Sequence, residues 1–343
     1  MNREKESIKS LKPYVVNPTV CSVKLDANEG SRELYLDLLK ELANSDLTLN
    51  LYPDDNYTDL KRAINNYVGY EAKNITVGNG SSELLDLCVK TFVDKDELIL
   101  SLDPTFSMYS IYAQVFSAKY IGAKAEEDFA LNVDSIIAEI KENNPKLVIL
   151  CNPNNPTGTV LTKDEVRKIV KSTDALIALD EAYMEFSDES LIDEVMDYDN
   201  LLIVKTLSKA FSLAGIRTGY IVANENIINS IEKVRAPYNL NSLSAYIATK
   251  ALENKDKMKS YIECLIKERE NIYNTLVDLG VKAYKSGANF VFFKSDIEDL
   301  QNKFVKKDVL IRKFSGKLEG CYRVSIGTDE ENKKFLEAFK EIL

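Results

Sequence analysis

A chain of 343 residues, 45% hydrophobic and 29% charged, has room for a large core and two domains and the composition of a soluble globular protein. Its formal net charge of −10 argues against a nucleic-acid backbone or an anionic membrane surface as partner, so any anion it binds needs a local basic pocket. It contains no histidine, which excludes Ser-His-Asp and Cys-His catalysis, His-ligated zinc and the two-His-one-carboxylate iron sites; proton transfer must fall to Lys, Asp, Glu, Tyr, Cys or a bound cofactor.

The five cysteines (Cys21, Cys88, Cys151, Cys264, Cys321) stand singly without a CxxC, as expected of reduced thiols in a cytoplasmic protein. The charged start, Met1 to Glu6, lacks a signal-peptide core, and no apolar run approaches the ~20 residues of a membrane span.

In chain order, Val20 to Leu25 reads as a short strand broken by Asp26-Ala27-Asn28-Glu29-Gly30. Arg32 to Ala43 and Tyr57 to Tyr67 have helical spacing, separated by the turn Leu51-Tyr52-Pro53-Asp54. From about residue 70, strands and helices alternate. Strands are expected at 75–77, 97–102, 119–122, 147–150, 175–179, 201–204 and 220–223, and helices at 83–92, 106–116, 133–141 and 162–171. Thr162 and Glu165 form a capping box. The runs at 147–150, 175–179 and 201–204 lack polar alternation, as strands buried on both faces do. Asn241 to Leu279 reads as one long helix, with no Pro or Gly until Gly280. Strands at 281–284, 289–293, 309–312 and 322–326 and a helix at 330–343 then follow. The expected fold class is α/β, a mostly parallel sheet covered by helices on both faces, plus a smaller α+β domain. The expected division is 1–45 packing with the small domain, 46–240 as the large domain and 241–343 as the small domain.

Ligands of such sheets collect at the carboxyl ends of the strands. Gly78-Asn79-Gly80-Ser81-Ser82 follows one strand and opens a helix, so it is either an anion cradle or a tight turn; Glu83, where a dinucleotide fingerprint wants glycine, argues against NAD. Cys151 to Gly158 holds two prolines and a glycine, with Asn155 presented as an amide donor. Asp180, at the end of a doubly buried strand, needs either a cationic partner, such as a protonated pyridine nitrogen, or a role as a helix cap. Tyr183 stands three residues on, within reach of a ring oxygen. Lys209, between Ser208 and Ala210, is either a poorly solvated nucleophilic amine or a surface lysine after a strand. Thr206, Ser208 and Arg217 supply the hydroxyls and guanidinium that a phosphate needs.

Taken in chain order, these pieces resemble the fold-type I pyridoxal-phosphate enzymes, and most closely the histidinol-phosphate aminotransferase family of the class II aminotransferases. The resemblance runs from Lys12-Pro13-Tyr14 to the last helix. It is carried above all by Asn152 to Gly158, by Asp180-Glu181-Ala182-Tyr183-Met184-Glu185-Phe186 and by Thr206 to Arg217. It implies pyridoxal 5′-phosphate as cofactor, no metal, and ping-pong transfer from an amino donor to a 2-oxo acid in histidine biosynthesis. Lys209 would capture the cofactor aldehyde and carry the Cα proton, and Asp180 would hold the ring nitrogen protonated. Asn155 and Tyr183 would bond the ring oxygen, and Phe106 would stack on the ring. Gly80, Ser81, Ser82, Thr206, Ser208 and Arg217 would surround the phosphate. Tyr52 would reach it from the second subunit of a homodimer. Arg323 would pair with a substrate carboxylate, with Tyr14, Asn28 and Arg312 as further substrate contacts.

Three positions depart from the family pattern: Gly30-Ser31 where proline is common, Leu51 where arginine often precedes Tyr-Pro, and the Gly78-Asn79-Gly80 loop, which also resembles threonine-phosphate decarboxylase. That decarboxylase and an aromatic-amino-acid aminotransferase are the alternative readings of the same cofactor chemistry.

Overall fold

The computed structural model describes residues 3–13 and 17–343; the expected contact Tyr14 lies outside them. In chain order the elements are β1 (Val23–Leu25), α1 (Leu36–Ala43), α2 (Thr58–Val68), β2 (Ile75–Gly78), α3 (Ser81–Phe92), β3 (Leu98–Asp103), α4 (Met108–Val115), β4 (Lys119–Lys124), α5 (Val133–Asn143), β5 (Leu147–Cys151), α6 (Lys163–Lys171), β6 (Leu176–Asp180), β7 (Leu201–Thr206), β8 (Gly219–Ala223), α7 (Glu225–Glu232), α8 (Ser242–Glu253) and α9 (Asp256–Asp278). The chain closes with β9 (Lys282–Tyr284), β10 (Phe290–Lys294), α10 (Leu300–Lys306), β11 (Val309–Lys313), β12 (Cys321–Ser325) and α11 (Asp329–Ile342).

The larger sheet runs β2-β8-β7-β6-β5-β3-β4 and is parallel except for β8, which lies antiparallel to both its neighbours. Alternate residues of its central strands bury into different cores. Leu147, Ile149 and Cys151 of β5 join Leu84 and Cys88 of α3 and Tyr109 of α4 on one face. Val148 and Leu150 join Ile136 of α5 and Val166 of α6 on the other. Helices on both faces explain why these strands read as unbroken apolar runs. The smaller sheet runs β1-β11-β12-β10-β9 and recruits the N-terminal strand β1, parallel to β11.

Helix caps follow the sequence. Thr162 and Glu165 close a capping box on α6, and Thr328 and Glu331 close another on α11. Elsewhere the structure differs from the sequence reading. The single helix expected over 241–279 is two, α8 and α9. At the break Asn254 caps α8: its backbone N–H donates to Lys250 O and Ala251 O, both at 3.1 Å, and its side chain also donates to Lys250 O at 2.9 Å. The first helix starts at Leu36 rather than Arg32, and the first strand at Val23 rather than Val20. Helix α7, capped by Asn224 accepting from Ile227 N, was not anticipated. No helix among the described residues is long and apolar enough to cross a membrane.

Candidate active site

The carboxyl ends of β2, β3, β5, β6 and β7 converge with the smaller sheet on a cavity of about 630 Å³. Its walls include Asn28, Ser81, Ser82, Phe106, Asn155, Asp180, Tyr183, Thr206, Ser208, Lys209, Arg217, Arg312 and Arg323. Thus the residues singled out at separate strand ends do share one space. Tyr52 does not: its ring is 79% exposed and stacks on Tyr238 at 4.4 Å.

Lys209 follows β7 and is half-buried. Its amine donates to two backbone carbonyls, Asn28 O at 3.0 Å and Ala27 O at 3.3 Å. Burial, and then the Arg323 guanidinium, pull its pKa down to about 8. The amine is therefore readily neutral, which is the state a nucleophile toward a carbonyl requires.

Asp180 ends β6 with 4% exposure. Its Oδ2 accepts from the Tyr109 phenol at 2.7 Å and its Oδ1 from the Ala182 N–H at 3.1 Å. Burial raises its pKa to about 6 despite these two donors. A carboxylate so placed asks for a cation, and a protonated ring nitrogen supplies one.

The Asn-rich loop after β5 divides its labour. Asn152 exchanges hydrogen bonds with Leu161, and Asn154 bonds Pro104 O, Thr157 and Thr105, so both knit the loop together from buried positions. Asn155 is left to the cavity, where its Nδ2 reaches the Tyr183 hydroxyl at 3.5 Å and its Oδ1 accepts from Arg323 at 2.5 Å. The Tyr183 hydroxyl also accepts from Asn28 Nδ2 at 3.1 Å. Burial pushes the Tyr183 pKa up to about 12, so it stays a neutral donor.

The end of the cavity expected to take a phosphate is built from β2, α3 and the turn after β7. Gly80 has φ 83° and ψ 165°, a conformation essentially reserved for glycine, and a Cβ there would lie 2.6 Å from Arg217 Nη2. The glycine thus lets the guanidinium lie against the N-terminus of α3, whose first turn carries Ser81 and Ser82. Thr206 Oγ1 donates to Ser208 Oγ at 3.0 Å, and Arg217 reaches Ser208 Oγ at 3.4 Å. Helix N-terminal N–H groups, hydroxyls and a guanidinium around one point are what an anion requires.

The opposite wall belongs to the smaller sheet. Arg312 of β11 and Arg323 of β12 are direct cross-strand partners and so share a face. Arg323 donates to Asp26 O at 2.8 Å and lies over the Phe290 ring at 5.2 Å. Asn28, in the left-handed region at φ 54°, is fully buried, and its backbone N–H donates to Ser325 Oγ at 2.8 Å. A conformation that asparagine tolerates better than most residues is thus held by the smaller sheet.

The donor set fits pyridoxal phosphate on three counts. A poorly hydrated amine is available for its aldehyde, a buried carboxylate held by two neutral donors for its ring nitrogen, and a glycine-opened cradle with Arg217 for its phosphate. Two neighbours escaped the sequence reading. Tyr109, which bonds Asp180, looks in sequence like any aromatic on the inner face of a helix, although its place three residues after Phe106 sets both on one turn. Lys205 lies inside β7 rather than beyond it, between Glu181 and Glu185.

A family model described as aminotransferase class I and II matches residues 22–339. The histidinol-phosphate aminotransferase of Thermoanaerobacter sp. (strain X514) is 38% identical, with 100% of this chain and 99% of the relative covered. The protein of the same name from Pyrococcus furiosus is 39% identical over 98% of this chain and 97% of the relative. The histidinol-phosphate aminotransferase of Sinorhizobium meliloti, solved in complex with pyridoxal-5′-phosphate, shares the fold with a TM-score of 0.90, covering 100% of this chain and 98% of that one at 23% identity. Full-length matches at this identity, together with the family model, place the chain plainly: it belongs to the class I and II aminotransferases.

Proposed function

We propose that the chain is a pyridoxal-phosphate-dependent histidinol-phosphate aminotransferase of histidine biosynthesis, with a 2-oxo acid, 2-oxoglutarate, as the amino acceptor. The observation that carries the cofactor reading is the pair Lys209 and Asp180 in one cavity: an amine whose charge is disfavoured and a buried carboxylate held by two neutral donors. The full-length likeness to relatives bearing that name supports the donor.

When bound, pyridoxal phosphate supplies an aldehyde that exchanges amines and a ring that takes up the electron pair left at Cα. The chain's own residues do the rest. Lys209 anchors the cofactor and, with no histidine in the chain, takes and returns the Cα proton as general base and acid. Asp180 holds the ring-nitrogen proton. Tyr183 and Asn155 bond the phenolic oxygen, and Phe106 packs against the ring. Gly80, Ser81, Ser82, Thr206, Ser208 and Arg217 hold the phosphate. Arg323 offers a planar fork for a carboxylate or the donor's phosphate, seconded by Arg312, with Asn28 and Tyr14 as further substrate contacts.

The division into 1–45, 46–240 and 241–343 belongs to the same proposal; the pairing of β1 with β11 supports grouping the N-terminal segment with the small domain. A cytoplasmic location and a homodimer in which Tyr52 reaches the partner's phosphate site are part of the proposal as well. Exposed apolar side chains at Leu36, Leu39, Leu49, Leu51, Tyr52 and Tyr238 support a second copy as their cover.

Two outcomes follow. The rate of pyridoxal-phosphate capture by the cofactor-free protein rises with pH around a midpoint near 8. The Lys209 pKa is lowered to about 8, and only the neutral amine above that value attacks the aldehyde. Stopped-flow absorbance between pH 6.5 and 9.5 reads it, and a flat profile contradicts it. In a substrate panel, histidinol phosphate with 2-oxoglutarate gives amino transfer, while threonine phosphate releases no carbon dioxide. Gas release, or equal turnover of phenylalanine, would replace the donor assignment with one of the other two readings.

A further inference from the structure

We propose that Tyr109 is a positioning residue for Asp180: its phenol fixes the carboxylate in the orientation and ionisation state in which it meets a cationic ring nitrogen. The inference rests on the cofactor reading above and assigns a role to a residue outside the expected site.

Tyr109 lies on the first turn of α4 and is fully buried. Its hydroxyl donates to Asp180 Oδ2 at 2.7 Å, while the Ala182 N–H holds Oδ1 at 3.1 Å. One donor on each oxygen fixes the carboxylate plane, and a carboxylate oxygen with a single donor keeps acceptor capacity. That capacity serves the cavity wall to which Asp180 belongs.

The donor is also of a suitable kind. A phenol stabilises the negative charge without cancelling it, as an arginine or lysine would. Burial and the neighbouring Asp180 charge raise the Tyr109 pKa, so its proton stays in place. Imidazole, the other common neutral donor, would titrate near neutrality.

The same turn unites two functions. The Tyr109 ring meets Phe106 edge-on, with centroids 5.6 Å apart and planes at 85°. Phe106, expected to stack on the ring, and the bond that orients Asp180 are therefore held by one packed pair. The sheet reaches Asp180 through its backbone; α4 reaches it through its side chain.

A packing role alone would also keep Tyr109 buried, and a mutant cycle on cofactor affinity separates the two. Pyridoxal-phosphate dissociation constants are measured by equilibrium dialysis for the unaltered chain, Tyr109→Phe, Asp180→Ala and the double variant, after circular dichroism confirms folding. Asp180→Asn replaces the alanine background if that variant does not fold. Phenylalanine keeps the ring and removes only the hydroxyl. The expected result is an affinity loss of about tenfold from Tyr109→Phe when Asp180 is present, and of less than about twofold when it is absent. An equal loss in both backgrounds assigns Tyr109 to packing and overturns the proposal, as does no loss in the first. Failure of the unaltered chain to bind pyridoxal phosphate is a separate outcome; it overturns the cofactor reading and this inference with it.

Discussion

Replacing Lys209 by alanine is expected to lower amino-transfer turnover by about 10³-fold or more while leaving the unfolding midpoint unchanged. The two halves of that outcome have different sources. For the fold, the Lys209 amine contributes two hydrogen bonds to backbone carbonyls, at 3.0 and 3.3 Å, in a cavity wall rather than a core. For chemistry, it is the cavity amine with a lowered pKa in a chain without histidine. Lys205, although only four residues away, is no substitute. It is buried and ion-paired, and its pKa is raised because Glu185 and Glu181 hold its proton. Turnover within about tenfold of the unaltered enzyme would show that another group moves the proton.

The second large effect falls on stability. Lys205→Met is expected to destabilise the fold by about 3–5 kcal/mol, the usual cost of removing one partner from a buried ion pair. Lys205 Nζ lies 3.0 Å from Glu181 Oε2 and 3.1 Å from Glu185 Oε1, and all three side chains are at most 7% exposed. Glu181 also accepts from the Ser190 hydroxyl at 2.6 Å and from the Leu191 N–H at 3.3 Å, so the cluster joins β7 to the segment after β6. Without the ammonium, two buried carboxylates face each other. The deficit should be largest at neutral pH and shrink as pH falls. Burial already raises the Glu185 pKa, and an unpaired buried carboxyl takes up a proton more readily than the unfolded chain does. Guanidinium unfolding at pH 7 and pH 5 reads both the size and the trend. An unchanged midpoint at pH 7 would contradict the account.

Much of the site was legible because the chemistry follows the strands. Apolar runs at 147–150, 175–179 and 201–204 mark the central strands, and Asn155, Asp180 and Lys209 lie just past them. What the runs do not show is which partner each group finds across the sheet. Tyr109 meets Asp180 through packing between elements 71 residues apart. Arg312 and Arg323 become neighbours through the register of β11 against β12, which no local spacing reveals. The family departure at Gly30 is likewise a tertiary matter. A Cβ there would lie 1.9 Å from the Ser212 hydroxyl and 2.6 Å from its Cα, so the segment carrying Asn28 lies directly against the turn carrying Lys209. Proline, with its own Cβ, does not fit that approach. The split of α8 from α9 falls at Asn254, whose backbone and side chain both cap the end of α8; one asparagine is too weak a signal to outweigh an otherwise helical run.

The most direct test of the account is chemical. The pyridoxal-phosphate-loaded protein is reduced with borohydride, digested and mapped by mass spectrometry. The pyridoxyl group is expected on Lys209 alone, in the peptide that runs into Ala210-Phe211-Ser212. Attachment at Lys205 or Lys313, a label spread over surface lysines, or no label would contradict it.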